Sequence, residues 1–155
     1  MTSPYDLMVK LQEVRNSLLD EIENIVYRNE NKIIKLNTSQ IDQHIGFDGE
    51  TLENTNRIFS GFYRQNTFTE LGNFKQQGEL YDFTNTGDFF RGFNIEVLPN
   101  LTQIEINSTG TGSGDKANFF RGYYNIFGLT TQNQYILNYE IILPELQKFI
   151  KQKIG

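Results

Sequence analysis

Apolar residues at Leu7, Leu11, Val14, Leu18, Ile22 and Ile25 follow one another at intervals of three and four, the spacing of one helical face, and Met8, Leu19 and Val26 widen that face. Ahead of them Ser3, Pro4 and Asp6 supply a cap, a first-turn proline and the acidic member of a capping box. The pattern predicts a helix over residues 3–28, about 37 Å long at ~1.5 Å per residue. So long a helix needs a surface to lie against, and packing on the chain's own core is favoured over a coiled-coil or partner-helix role. Asn29 to Asn31 interrupt the stripe, after which Ile33, Ile34, Leu36 and Ile41 form a second apolar group, either a continuing helix or a short strand.

Between Gly46 and Gly78 the periodicity is lost. Glycines, Asn, Gln and Thr surround isolated aromatics at Phe47, Phe59, Phe62, Tyr63, Phe68 and Phe74. A long unpatterned stretch inside a small domain is usually functional or disordered, and disordered segments are poor in aromatics. An extended arm over about 46–78, ordered against a neighbouring subunit, fits this composition. Strand-like alternation then appears at Phe93, Ile95 and Val97 and at Leu101, Ile104 and Ile106, with Pro99-Asn100 between them. An antiparallel hairpin over 89–106 is expected. Asn107 to Asp115 reads as a glycine-bearing loop, and 116–154 as a helical C-terminal part. Within it Lys116 to Phe127 forms a short helix ended by Gly128, Thr130 or Thr131 caps a further helix through Ile142, and Pro144 opens the last one, carrying Leu146, Phe149, Ile150 and Ile154. The fold class is α+β in one domain over residues 1–155: a long N-terminal helix packed on a small antiparallel sheet, an extended arm and a helical C-terminus.

Composition narrows the chemistry. The absence of cysteine removes disulfides, thiolate nucleophiles and zinc–cysteine sites, and the single His44 provides neither a metal site nor a relay. Thr109 to Lys116 superficially resembles a phosphate-binding loop, but Asp115 separates Gly114 from Lys116 and Ala117 follows, which breaks the P-loop spacing. Asp82, Asp88 and Asp115 as a hard-metal site, or a carboxylate pair for hydrolysis, sit in no motif. No catalytic, cofactor or metal residue is therefore assigned. The net charge of −5 argues against coating nucleic acid, which requires phosphate-neutralising cations, while leaving open a channel through which DNA slides. Neither a signal-peptide pattern nor a membrane-length apolar run is read, so a product that stays, or is assembled, in the cytoplasm of the cell that makes it is expected.

The 13 Phe and 8 Tyr are many for a chain whose apolar fraction is 37 %. Asp88-Phe89-Phe90-Arg91-Gly92-Phe93 resembles Asn118-Phe119-Phe120-Arg121-Gly122-Tyr123, and each segment combines bulky aromatics with an arginine, residue types that often carry interface energy. With the arm aromatics they give a candidate subunit interface: Phe59, Phe62, Tyr63, Phe68, Phe89, Phe90, Arg91, Phe119, Phe120 and Arg121. The competing reading places the aromatics in the core and the arginines on the surface.

The stretch from Leu80 to Phe93, with Thr86-Gly87-Asp88 leading into Phe89-Phe90-Arg91, follows a long helix and precedes strands. In that order it resembles the HK97-type tail-completion proteins of tailed bacteriophages, although Asn85 stands where that pattern has Asp. Asn37-Thr38-Ser39-Gln40-Ile41, Thr86-Gly87-Asp88-Phe89 and Ile126-Phe127-Gly128-Leu129-Thr130 more closely resemble virion proteins of phages infecting Bacteroidota, the crAss-like phages included. The resemblance implies a non-enzymatic neck or head–tail connector protein in the virion. Its partners would be further copies of itself in a ring, the portal, and other neck or tail proteins, with no specific nucleic-acid binding and no membrane. A small phage-encoded enzyme, an inhibitor of a host protein and a tail adaptor are the competing assignments.

Overall fold

The computed structural model describes residues 3–52, 63, 65–80, 83, 87–98, 103–109 and 125–155. Helix α1 spans Pro4–Arg28. The Ser3 hydroxyl accepts from the Asp6 N–H at 3.1 Å, and the Asp6 carboxylate accepts from the Ser3 N–H at 3.0 Å. This reciprocal pair satisfies amides that a helix start otherwise leaves orphaned. Asn29 ends α1, its N–H donating to the carbonyls of Ile25 and Val26, and α2 (Glu30–Asp42) starts at once. The second apolar group is therefore a helix, with Ile33, Asn37, Gln40 and Ile41 forming its buried face.

The arm region is partly folded on the chain itself. Ile45 bridges Thr51, and β1 (Thr67–Phe68) pairs with β2 (Phe74–Lys75) in a small antiparallel hairpin. The expected main hairpin is present but begins later than the sequence pattern indicates. Residues Asp88–Arg91 make a helical turn, α3, and the strands are β3 (Phe93–Val97) and β4 (Ile104–Ser108). Gly87, with φ 79°, turns the chain into α3 in a conformation that a side chain resists, so Phe89 and Phe90 are helical rather than extended. Leu98 donates to the Gln103 carbonyl at 3.0 Å, closing the ladder, and the turn expected at Pro99-Asn100 lies outside the described residues.

In the β3–β4 register Phe93, Ile95 and Ile106 face inward and are buried, while Glu96 stands directly opposite Glu105. Like charges opposed across strands are unfavourable. Glu105→Lys is accordingly expected to stabilise the chain by about 0.5 kcal/mol, seen as a higher urea midpoint with an unchanged slope.

The C-terminal part is one run of helix in three registers: α4 (Thr131–Tyr135), a π-helical segment (Ile136–Ile142) and α5 (Leu143–Ile154). Thr130 caps it, its hydroxyl accepting from the Asn133 N–H at 3.2 Å. Pro144 has no N–H and crowds the carbonyl of the preceding turn. The widened ladder ahead of it, with Leu143 N–H bonding Asn138 O, is how the helix passes the proline without ending. The short helix read for Lys116 to Phe127 falls largely outside the described residues, and its described end at Asn125–Gly128 is a turn.

Helix α5 runs antiparallel to α1. Arg28, at the end of α1, reaches Glu145 at 2.9 Å, and Lys10, near its start, donates to the Ile154 carbonyl at 3.2 Å. The α1–α2 junction also grips the sheet edge, where Glu30 accepts from the Ile95 N–H at 3.3 Å. The core lies between α2, the β3–β4 sheet and the 126–137 segment. It contains Val26, Ile33, Ile41, Phe83, Phe89, Phe93, Ile95, Ile106, Ile126 and Leu137.

Candidate interaction surface

Three features stand out: a polar joint inside the fold, a charged clasp at its edge, and apolar surface left uncovered. The joint is built from α2. Asn37, 0 % exposed, donates to the carbonyls of Ile126 (3.1 Å) and Gly128 (2.8 Å). Gln40 donates to Gly128 O at 3.0 Å and accepts from Thr130 N–H at 2.9 Å, and Asn133 donates to Gln40 at 2.6 Å and to Leu36 O at 3.2 Å. The fully buried Asn125 continues the joint to Asp48 and the Thr51 carbonyl. Gly46 is required here because a Cβ would collide with the Asn125 amide. Segments 37–41 and 126–130 thus dock directly on each other.

The clasp joins α1, α5 and the hinge. The Asn29 amide donates to Glu145 at 2.7 Å, and Arg28 bonds both Glu145 and Glu21 at 2.9 Å. The Asn29 hydrogen bond first, and Arg28 second, hold the Glu145 carboxyl below the usual glutamate range. A carboxyl depressed by folding stabilises the fold above its unfolded pKa and loses that contribution as the pH falls through the folded value. Relative to Glu145→Gln, the wild-type chain is expected to have an unfolding midpoint that is higher at about pH 7 and converges towards the variant's at about pH 3.

The sequence-derived interface residues divide sharply. Phe89 is 2 % exposed, at the centre of an aromatic cluster with ring centroids 5.6 Å from Phe83, 5.1 Å from Phe93 and 6.1 Å from Phe127. Tyr63 is also buried, its backbone bonded to Gly78 and Glu79, and Phe90 is half-buried against Phe89 and Phe93. Those rings are taken up by this chain's own packing. Arg91 is exposed and pairs with Asp88, and Phe68 is 73 % exposed. Phe59, Phe62, Phe119, Phe120 and Arg121 lie outside the described residues, as do Asp82 and Asp115.

The uncovered surface that sequence reasoning did not single out is on α1. Its C-terminal half is covered, with Ile25 and Val26 fully buried. Elsewhere on the stripe Leu7, Met8, Leu11 and Leu19 are 41–58 % exposed, while Val14 at its edge is buried. At ~100° per residue these four lie within about one-third of the helix circumference, together with half-buried Leu18. Arg15 falls among them, a residue type common in interfaces. Because Lys10 sits opposite the last turn of α5, Pro4 to Val9 extend past the end of that helix. Two further aromatics, Tyr135 and Tyr139, meet in a tilted pair with ring centroids 4.6 Å apart on the exposed side of the C-terminal helix.

Among the described residues no cluster of three or more His, Asp or Glu side chains is arranged to hold a metal ion, and no helix is long and apolar enough to cross a membrane. Comparison with protein-family models, with curated proteins and with solved structures finds no match to this chain.

Proposed function

We propose that the chain is a non-enzymatic structural component of a bacteriophage virion, a subunit of the neck or head–tail connector that works by packing against copies of itself and against the portal and neighbouring neck or tail proteins. The observation that carries the structural part of this reading is the half-covered stripe of α1. A helix patterned for burial along its whole length buries Val14, Ile25 and Val26 but leaves Leu7, Met8, Leu11 and Leu19 exposed. Covering Leu7, Met8, Leu11 and Leu19 with a partner is worth roughly 1 kcal/mol or more per side chain, taking half of the usual value for complete burial. That is enough for four residues to anchor an interface. The assignment to a phage neck comes from the resemblance carried by residues 37–41, 80–93 and 126–130, and the net charge of −5 is compatible with a ring that lets DNA pass without holding it.

Sizing the purified chain by light scattering, alone and mixed with a portal complex, tests the reading. A closed oligomer, or a ring formed on the portal, is the expected result. A chain that stays monomeric under both conditions contradicts it.

A further inference from the structure

A second series of positions runs along α1 beside the stripe that reaches the core. Tyr5, Met8, Gln12, Arg15, Leu19 and Ile22 follow at intervals of three, four, three, four and three, the seam spacing of two supercoiled helices. The first five are exposed, Tyr5 at 69 % and Met8 and Leu19 above one-half, and Ile22 is half-buried. The next member of the series, Val26, is fully buried in the chain's own core. The open seam therefore stops where the core begins, after roughly 27 Å at ~1.5 Å per residue.

The series reads the same from either end: two apolar positions, two polar, two apolar. An identical helix laid antiparallel matches it layer by layer, with Tyr5 on Ile22 of the second copy, Met8 on Leu19 and Gln12 on Arg15. Leu11 and half-buried Leu18 flank the seam on one side and meet across it. Among the described residues neither the Gln12 nor the Arg15 side chain has a hydrogen-bond or ion-pair partner. The central layers supply one, an amide oxygen for a guanidinium donor, and a polar match of this kind fixes register and direction. Parallel pairing instead sets Arg15 on Arg15. The carboxylates are kept away: Asp6, Glu13 and Asp20 recur every seven residues on a side of α1 roughly 110–150° from the seam, at ~100° per residue. Two chains of net charge −5 thus meet with no acidic side chain in the seam layers. Glu23, at the seam's end, falls opposite Pro4 of the second copy, where the start of a helix favours negative charge.

We infer that α1 pairs antiparallel with α1 of a second copy along this seam. The inference rests on the reading of the chain as a self-packing subunit and names the element through which two copies join. Such a contact is isologous and closes as a dimer, so a ring built on it is a ring of pairs. The cysteine-free sequence makes the test direct. Met8→Cys and Leu19→Cys, both at exposed positions, are prepared as separate full-length chains. They are assembled, each alone and as a mixture, under the condition in which the wild type assembles, and treated with a short bismaleimide. In the antiparallel pair Met8 faces Leu19 of the other copy, while the two copies of either residue stand about 16 Å apart along the axis at ~1.5 Å per residue. The expected result is a covalent dimer in the mixture and none from either variant alone. Assembly without a cross-link in the mixture, or equal cross-linking of either variant to itself, overturns the antiparallel seam and leaves the structural role standing. Failure of the wild type to assemble, alone or on a portal complex, overturns both.

Discussion

Replacing Asn37 with leucine is expected to lower the unfolding free energy by about 3 kcal/mol, because it leaves buried backbone groups without partners. The side chain is 0 % exposed and is the described partner of the Ile126 carbonyl, while sharing Gly128 O with Gln40. Leucine has the same branching and number of side-chain heavy atoms, so no cavity is left and lost packing is a minor term. What remains is the desolvation of a carbonyl, and of the Gly128 N–H that faces Asn37 Oδ1 at 3.4 Å, with no compensating bond. For a chain of this size the change corresponds to a fall in melting temperature of roughly 10 °C. Since the joint ties α2 to the start of the C-terminal helix, the urea slope is a useful second readout. A change confined to the midpoint marks lost stability, and a reduced slope marks a joint that has come apart in the native state.

The second large effect concerns association. Leu11→Glu combined with Leu19→Glu places two carboxylates on the uncovered half of α1. In an assembly that buries this stripe, the change removes roughly 1 kcal/mol of apolar burial per leucine and adds the cost of desolvating charge. Association is expected to weaken by at least about a hundredfold. Both leucines are about half exposed in the lone chain, at 47 % and 54 %. The monomer should therefore keep its stability to within about 0.5 kcal/mol. This separation, between an association that collapses and a fold that does not, distinguishes an interface residue from a core residue. Light scattering over a dilution series, alongside urea unfolding of the same samples, measures both.

These two effects differ in how far they could be read from sequence. The stripe from Leu7 to Val26 is local information, as are the Ser3–Asp6 capping box, the Phe93–Ile95 alternation paired with Ile104–Ile106, and the Thr130 cap, and each of these appears in the structure. What the stripe could not disclose is which of its residues are covered, because that depends on the side of α1 against which α5 and the sheet lie. The polar joint was invisible for a related reason. Asn37 and Gln40 are surface residues by type, and only partners 88 to 93 positions away in sequence make them interior. Even so, Asn37 and Gln40 fall on one helical face with Ile33 and Ile41, and that face is a signal that the polar residues share the burial. The apolar run at Phe89-Phe90 fits a strand as well as a helical turn, and the left-handed Gly87 decides between them. The arm aromatics look alike in sequence, yet Tyr63 is buried and Phe68 projects into solvent, a difference set by which neighbours the fold brings to each.

Hydrogen exchange of the first half of α1, followed in the dilute chain and in the assembled state, is the most direct measure of whether this surface exists to be covered by another subunit. Amides of residues 7–12, ahead of the buried Val14, are expected to exchange quickly in the lone chain, where few side chains pack around them, and to become strongly protected on assembly. Equal exchange in the two states would contradict a role for α1 in joining subunits.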